Sequence, residues 1–419
     1  MQTWLHQTNI NIKVGWFLAV REIKRGNRWN ISLIIFVMML TFLNLVVVRG
    51  ILVGLPAGVI TANREQYTGD VFLTPLDTQD TIQNSPLVID LIRQLPTVKT
   101  LSARYSGSAK IEANFDQTLQ SDQLPDVVNG KLLGINPDKE DSLSQLSTYI
   151  VAGQYLSTND IDQAILDTGL LEQYSTDNTG LPNVHIGDKL RLTVGQNTRV
   201  ITVKGFLDTK AQGFTGVILM PDHQVQSMLN RFDYGINQIA IRSVNGTTPE
   251  QIKQTLNANQ IDQYATIETY QESLPSFIQD IAATFSILGN IIGSIGLVVA
   301  AITVFIVIFV NAITRRKYIG ILKGIGIHRA AIEWSYIFQS LFYATIGSLI
   351  ATIIIFTLLI PYFDANPLDF PFSDGILLVT PGGTAIRAGL LLIATLAAGY
   401  FPARMVVNQN TLDSILGRQ

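Results

Sequence analysis

Four long apolar runs constrain what this chain can fold into more than any other feature. Ile31–Val48 is nearly unbroken, Phe277–Val310 is longer than a bilayer needs, and Tyr336–Ile360 and Ala385–Phe401 follow. A helix needs about 20 predominantly apolar residues to cross the hydrocarbon core. It is also the one open-ended element that satisfies its own backbone there. The runs therefore predict four transmembrane helices. The competing reading, buried core helices of a soluble protein, fails on length for the Phe277 and Tyr336 runs, which exceed the roughly 18 residues that separate the two classes. The last run is weaker, with Arg387 near its start. A secretory signal competes for the first run, but that run starts only at Ile31 and no A-x-A-like cleavage site follows.

Composition agrees with a chain divided between lipid and water. Hydrophobic residues make up 47% and charged residues 15%, with a mean hydropathy of +0.29. That is too apolar for an ordinary soluble protein and too mixed for one wholly in lipid. There is no cysteine, which excludes disulfides, thiolate metal sites and a cysteine nucleophile.

Lysine and arginine set the expected orientation. Lys13, Arg21, Lys24, Arg25 and Arg28 precede the first span, and Arg315, Arg316, Lys317, Lys323 and Arg329 lie between the second and third. Arg404 and Arg418 follow the fourth, whereas Pro361–Pro381 holds Asp364, Asp369 and Asp374 and no basic residue. Both termini are expected in the cytoplasm of a bacterial cell, the chain being multi-pass in the cytoplasmic (inner) membrane. The expected organisation is an amphipathic cytoplasmic segment (1–30), a first span (31–54), an extracytoplasmic domain (55–276) and a long second span or stalk (277–312). A cytoplasmic segment (313–333), a third span (334–360), a short external loop (361–382), a fourth span (383–402) and a cytoplasmic tail (403–419) complete it.

The external segment reads as mixed α and β. "DVFLTPL" from Asp70 looks like a strand, Ser85-Pro86 opens a helix, and an extended run begins at Val98. "KLRLTVGQNTRVITVKGFL" alternates apolar and polar residues on both sides of Gly195-Gln196-Asn197, a hairpin signature. Thr248, Pro249 and Glu250 mark a helix start. Strands interleaved with single helices predict an α+β domain in two lobes. No catalytic constellation emerges. His6, His185, His223 and His328 are scattered without metal-ligand spacing, and no G-x-S-x-G elbow occurs. The many carboxylates read as a solvated surface, so neither a catalytic residue nor a metal site is expected. No Walker loop is present either: Asn129-Gly130-Lys131 is followed by leucine. If ATP is used, a partner must bring it.

The segment "RRKYIGILKGIGIHRAAIEW", Arg315–Trp334, carries more than a turn between spans requires. Its basic residues suit a helix end at a membrane surface. Its glycines would let another backbone approach, and its isoleucines offer an apolar face where no lipid core remains. His328 and Arg329 can start the next helix. A basic turn anchored at lipid headgroups and a docking surface for a partner both fit these residues.

This stretch resembles the loop of permeases related to FtsX, LolC/LolE and MacB, where a pattern close to R-x-x-E-I-G-[IL]-[LM]-[KR]-A-[IL]-G recurs. Arg316, Ile319, Gly320, Leu322, Lys323, Ile325 and Gly326 match it; Lys317-Tyr318 replaces the usual Arg-Glu, and Gly324 the usual alanine. The resemblance continues elsewhere. Trp16, Phe17, Val20 and Ile23 stand against Lys13, Arg21, Lys24 and Arg25 in an amphipathic N-terminal helix. Gly153, Leu156 and Asp160 fit a G-R-x-[FL]-[ST]-x-x-[DE] segment, and "HIGDKLRLTV" with "VKGFL" fits two later strands. Pro402, Ala403 and Leu416, with Thr411 near the family proline, fit the family's C-terminal motif.

The resemblance implies a type VII, mechanotransmission ABC-transporter permease with a MacB-like outer domain. Two such chains, identical or paralogous, would associate with two ATPase subunits that bind ATP and Mg, while this chain binds no cofactor. Arg316, Ile319, Gly320, Leu322, Lys323, Gly324, Ile325, Gly326, His328 and Arg329 would form the coupling segment. Gly289, Gly293 and Gly296 make a small-residue face for helix packing, within the chain or across a dimer. Arg49 and Arg387, near the outer ends of their spans, would snorkel to headgroups or contact an anionic substrate or lipid. Three functions compete: an amphiphile transporter (lipoprotein, peptide, macrolide or lipid), an FtsX-like transmitter that activates a wall hydrolase, and a membrane sensor or adhesin without an ATPase. Lipids and a periplasmic adaptor or lipoprotein carrier are expected partners of the first, and no nucleic acid is expected.

Overall fold

The computed structural model describes residues 2–115, 125–174, 180–366 and 377–408, apart from the side chains of residues 2–8 and 406. The chain opens with α1 (Gln2–Arg25) and α2 (Arg28–Asn63), the latter continuing through a π-helical turn at Arg64–Thr68. Next come β1 (Val71–Thr74), α3 (Ser85–Arg93), β2 (Val98–Glu112), β3 (Val127–Ile135), α4 (Pro137–Ser144), β4 (Ile150–Gly153) and β5 (Gln163–Asp167). β6 (Lys189–Val194), β7 (Asn197–Leu207), β8 (Val217–Pro221), α5 (Asp222–Met228), β9 (Gln238–Ser243), α6 (Pro249–Ala258) and β10 (Thr266–Thr269) follow. The chain then becomes helical: α7 (Ser276–Thr314), α8 (Arg316–Gly324), α9 (Arg329–Ile354), α10 (Ile360–Ala365) and α11 (Pro381–Val407). Two compact units result, a sheet unit spanning Gly58–Gln279 and a helical unit built from the flanking segments.

The sheet unit holds one hydrogen-bonded path of strands in the order β10-β1-β9-β2-β3-β8-β5-β7-β4, with β6 bridging β2 and β7. The expected division into two lobes gives way to one connected sheet, in which β2 pairs with different strands along its length. Residues from Val98 to Arg104 pair antiparallel with β9, and those from Tyr105 to Glu112 pair with β3. β3–β8 and β5–β7 are parallel. Successive strand residues point to opposite faces, and here both faces are covered. Val71, Leu73, Leu132, Leu166 and Ile218 join one apolar cluster. Their neighbours Phe72, Leu133, Ile165 and Leu219 join another. Central strands buried on both faces read as continuous apolar runs, which is why "VILMP" shows no alternation. The β6–β7 hairpin has alternating burial in β6 and turns at Gly195 with φ +59°. α3 starts at Ser85-Pro86 as expected. Thr248 caps α6 in a full capping box, and its reciprocal partner is Gln251, one residue beyond Glu250.

Among the described residues four helices are long and apolar enough to cross a membrane: Arg28–Thr68, Ser276–Thr314, Arg329–Ala365 and Pro381–Met405. The first and third run well past the apolar stretches, because hydropathy marks the lipid-facing part and says nothing about where backbone hydrogen bonding stops. Met38, Phe42, Val304, Ile308 and Tyr336 pack into an internal cluster. The opposite face of α7, with Ile291, Ile295, Val299, Ile302 and Ile306, is exposed, as a lipid-facing surface must be. α1 docks on α9 through Gly15, where a Cβ would stand 2.6 Å from Trp334 Cβ and 2.8 Å from the Ala331 carbonyl.

Candidate functional site

The α7–α9 connection is a built structure. Arg315 (φ −101°, ψ 13°) separates α7 from α8. On α8, Ile319, Gly320 and Leu322 face inward and are buried, whereas Tyr318 and Ile321, with Ile325 just beyond the helix, are 43%, 53% and 71% exposed. That spacing puts an apolar stripe on the outer face of a short basic helix. The helix stops in a Schellman motif: Ile327 N–H donates to the Leu322 carbonyl at 3.0 Å and Gly326 N–H to that of Lys323 at 3.1 Å. Gly326 sits at φ +93°, so a left-handed backbone explains this glycine. Added Cβ atoms at Gly324 or Gly326 would meet nothing within 4 Å, so no part of this chain occupies the space beside them.

Neighbouring polar groups fasten the segment. Lys323 Nζ donates to the Val407 carbonyl at 2.7 Å, at the end of α11; burial and the nearby charge of Arg329 push its amine below the usual lysine range. His328 Nδ1 accepts from Ala330 N–H at 3.2 Å and caps α9, with Arg329 as the first helical residue. Arg316 opens α8. Glu22 of α1 was missed by sequence reasoning. It pairs with Arg315 at 3.6 Å and accepts from Gln339 Nε2 of α9, so one carboxylate ties α1 to α9 and to the α7–α8 junction. Burial raises its pKa, with Arg315 opposing. The signal was present: Glu22 is the sole acid before Glu65.

A second constellation lies among α2, α7 and α11. Arg49 Nε donates to Asn290 Oδ1 at 3.1 Å. Both residues, with Arg387, Leu45, Ser294 and Ile386, line an open cavity of about 460 Å³. Arg49 and Arg387 are thus brought to one site. Gly289, Gly293 and Gly296 face α2 of the same chain. A Cβ at Gly289 would stand 3.3 Å from Arg49 Cγ, and at Gly293 and Gly296 3.9 and 3.5 Å from Leu45 Cδ1.

In the sheet unit the motif residues are structural. Gly153 has φ +85°, and a Cβ there would lie 2.3 Å from the Lys204 carbonyl. Leu156 is buried. Asp160 accepts from Ser157 N–H at 2.7 Å and pairs with Lys204 at 2.5 Å. The fully buried Arg104 forks onto Glu140 at 2.6 and 2.8 Å, donates to the Tyr67 carbonyl at 2.7 Å and stacks over the Tyr67 ring. Burial pushes Asp167 up to about 6 although it accepts from Gly216 and Gly169 N–H groups. Among the described residues no cluster of three or more His, Asp or Glu side chains could hold a metal. At the C-terminus, Pro402 and Ala403 are buried within α11; Thr411, Leu416 and Arg418, like Asp369 and Asp374 of the short loop, lie outside the described residues.

Comparison with known proteins fits this architecture. A profile of the MacB-like periplasmic core domain matches residues 30–259, and one of the FtsX-like permease C-terminal region matches residues 290–411. Similar solved structures include the periplasmic region of MacB from Actinobacillus actinomycetemcomitans, at 13% identity and a TM-score of 0.34, covering 50% of this chain and 92% of that one. The extracellular domain of the noncanonic ABC-type transporter YknZ from Gram-positive bacteria is also similar, at 13% identity and a TM-score of 0.32, covering 48% and 98%. Comparison with curated proteins gives no significant match. With four helices among the described residues long and apolar enough to cross a membrane, a mixed-sheet unit inserted between the first two, and profiles that together span most of its length, the chain belongs to the FtsX/MacB-type family of ABC-transporter permeases, membrane subunits that partner with ABC ATPases and are not themselves catalytic.

Proposed function

We propose that this chain receives the stroke of a separate ABC ATPase at α8 and uses it to move an amphiphile from the outer leaflet or periplasm. The observation that carries the reading is the exposed stripe Tyr318–Ile321–Ile325 on a short basic helix with a fixed stop. An apolar stripe on a basic helix at the end of the spans marks a surface for a protein partner or for the membrane interface, and the family's association with ABC ATPases favours the partner. ATP and Mg belong to that partner. α7 is continuous from Ser276 to Thr314, and its first residues belong to the sheet unit. A push on α8 would be passed to α7, the helix that follows the outer domain in the chain. Both termini and α8 are cytoplasmic in this reading, as the lysine and arginine distribution supports. Two permease copies, identical or paralogous, complete the assembly, with an adaptor or lipoprotein carrier outside.

The cavity holding Arg49 and Arg387 favours transport over FtsX-like signalling to a wall hydrolase, because a pure transmitter has no use for a cationic, lipid-accessible pocket. Purification in detergent of the full chain with its membrane partners tests the coupling. The unmodified chain should retain an ABC ATPase, and Ile321→Asp/Ile325→Asp should lose it while inserting normally, since both side chains are exposed. Gly324→Glu, in open space, should act alike. Gly326 is a poorer choice, because its backbone conformation would itself be broken. Failure of the unmodified chain to retain any ATPase would overturn the reading.

A further inference from the structure

A second cavity of about 480 Å³ lies within the helical unit, lined by Leu18, Arg21, Glu22, Arg25, Arg315 and Tyr318. Arg21 and Arg25 stand one turn apart on α1 and are exposed, so their guanidinium groups share one face. Arg315 closes the cavity from the end of α7. The one carboxylate present, Glu22, is already engaged by Arg315 and Gln339. Three guanidinium groups against one carboxylate make the site cationic. Its surroundings are those of a membrane interface. Trp16 and Phe17, just before Arg21, are 58% and 61% exposed, and Trp29, just after Arg25, is 84% exposed. Trp16 stacks edge-on against Phe338, 5.3 Å between centroids, extending an aromatic row to Trp334. Such side chains settle at headgroup level. One turn along α7 from Arg315, Val310 and Ile313 are exposed and offer an apolar track for an acyl chain.

We infer that this cavity binds the phosphate headgroup of an anionic phospholipid, with Arg21 and Arg25 as its principal ligands and the acyl chains laid along the end of α7. Arg315 orients the site and is held by Glu22. This goes beyond the coupling and substrate readings and depends on neither. A soluble phosphate compound shares the headgroup chemistry but leaves the apolar track and the aromatic row without a role. An ATPase contact would likewise leave exposed Trp16 and Phe17 unexplained.

Native mass spectrometry of the full chain in detergent, titrated with phosphatidylglycerol or phosphatidylcholine, tests the inference. Phosphatidylglycerol should be retained in preference, and increasingly so as salt is lowered. Each arginine removed should weaken retention about fivefold, so Arg21→Gln/Arg25→Gln should lose tenfold or more. Lys13→Gln, an equal charge change on the same helix, should change it little. If the double variant does not purify as a monodisperse species, Arg21→Lys/Arg25→Lys provides the same readout, keeping the preference at reduced strength. Two results would each overturn the inference: phosphatidylglycerol retention unchanged in the double variant, or glycerol phosphate competing as well as the lipid.

Discussion

The sheet unit hides its apolar side chains and the helical unit displays them. In the first, Leu73, Ile111, Leu132, Leu166 and Ile218 are inaccessible, and even a guanidinium group is fully enclosed. In the second, α7 alone exposes Ile287, Ile291, Ile295, Val299, Ile302 and Ile306. The difference lies in the solvent. Water drives the sheet unit together by burial of apolar surface. Lipid gives no such drive between helices, so packing, small residues and polar ties must hold the helical unit. Glu22, Arg315 and Gln339 form one such tie, and Arg49 with Asn290 another.

The largest test of that contrast is the enclosed ion pair. Glu140→Ala leaves Arg104 charged, unpaired and without water, and should cost the sheet unit about 3–5 kcal/mol, read as loss of amide-exchange protection in β2 and α4. An effect within about 1 kcal/mol would mean water reaches the site. Truncation separates the units more directly. Leu132→Ala, at 0% exposure, should cost about 2–5 kcal/mol. Ile295→Ala, at 58% exposure on α7, should leave thermal stability in lipid nanodiscs within about 1 kcal/mol. Equal losses would show that Ile295 faces protein, such as a second permease copy, and would redraw the lipid-facing surface.

A smaller effect comes from pH. Asp167 carries a carboxyl raised from 3.8 to about 6 by burial, only partly offset by its backbone donors. Between those values the native state holds a proton that the unfolded state has released, so this group lowers stability as pH rises from about 4 to 6. Asp167→Asn should gain about 2–3 kcal/mol relative to the unmodified chain across that interval, with exchange at Gly216 as the local probe. A constant difference would mean that Asp167 is ionised throughout.

Much of the helical unit was legible because hydropathy over about 20 residues has few competing explanations. Four spans follow from it, whereas α1 came from the family resemblance. In the sheet unit, legibility tracked burial. The β6–β7 hairpin showed itself by alternation, and α6 by Thr248 and Pro249. β5 and β8, covered on both faces, carry no period to read. The α8 segment stood out by its motif, yet the reason for Gly326 did not, since a positive φ looks the same in sequence as a close contact. Gly153 belongs to the same class: its φ of +85° and its tight approach to Lys204 are tertiary facts.

Membrane class and family are thus properties of local composition and spacing, as is the motif between the second and third spans. Neighbours within a few residues are enough to define a hydropathy run, a cap or a motif. Pairings such as Glu22 with Arg315, Arg104 with Glu140, and the gathering of Arg49 with Arg387 join residues dozens to hundreds of positions apart. A single charged residue in a sequence has no address for its partner. Only the packing of helices and the order of strands supplies one, because desolvation makes an unmatched charge too costly to leave inside.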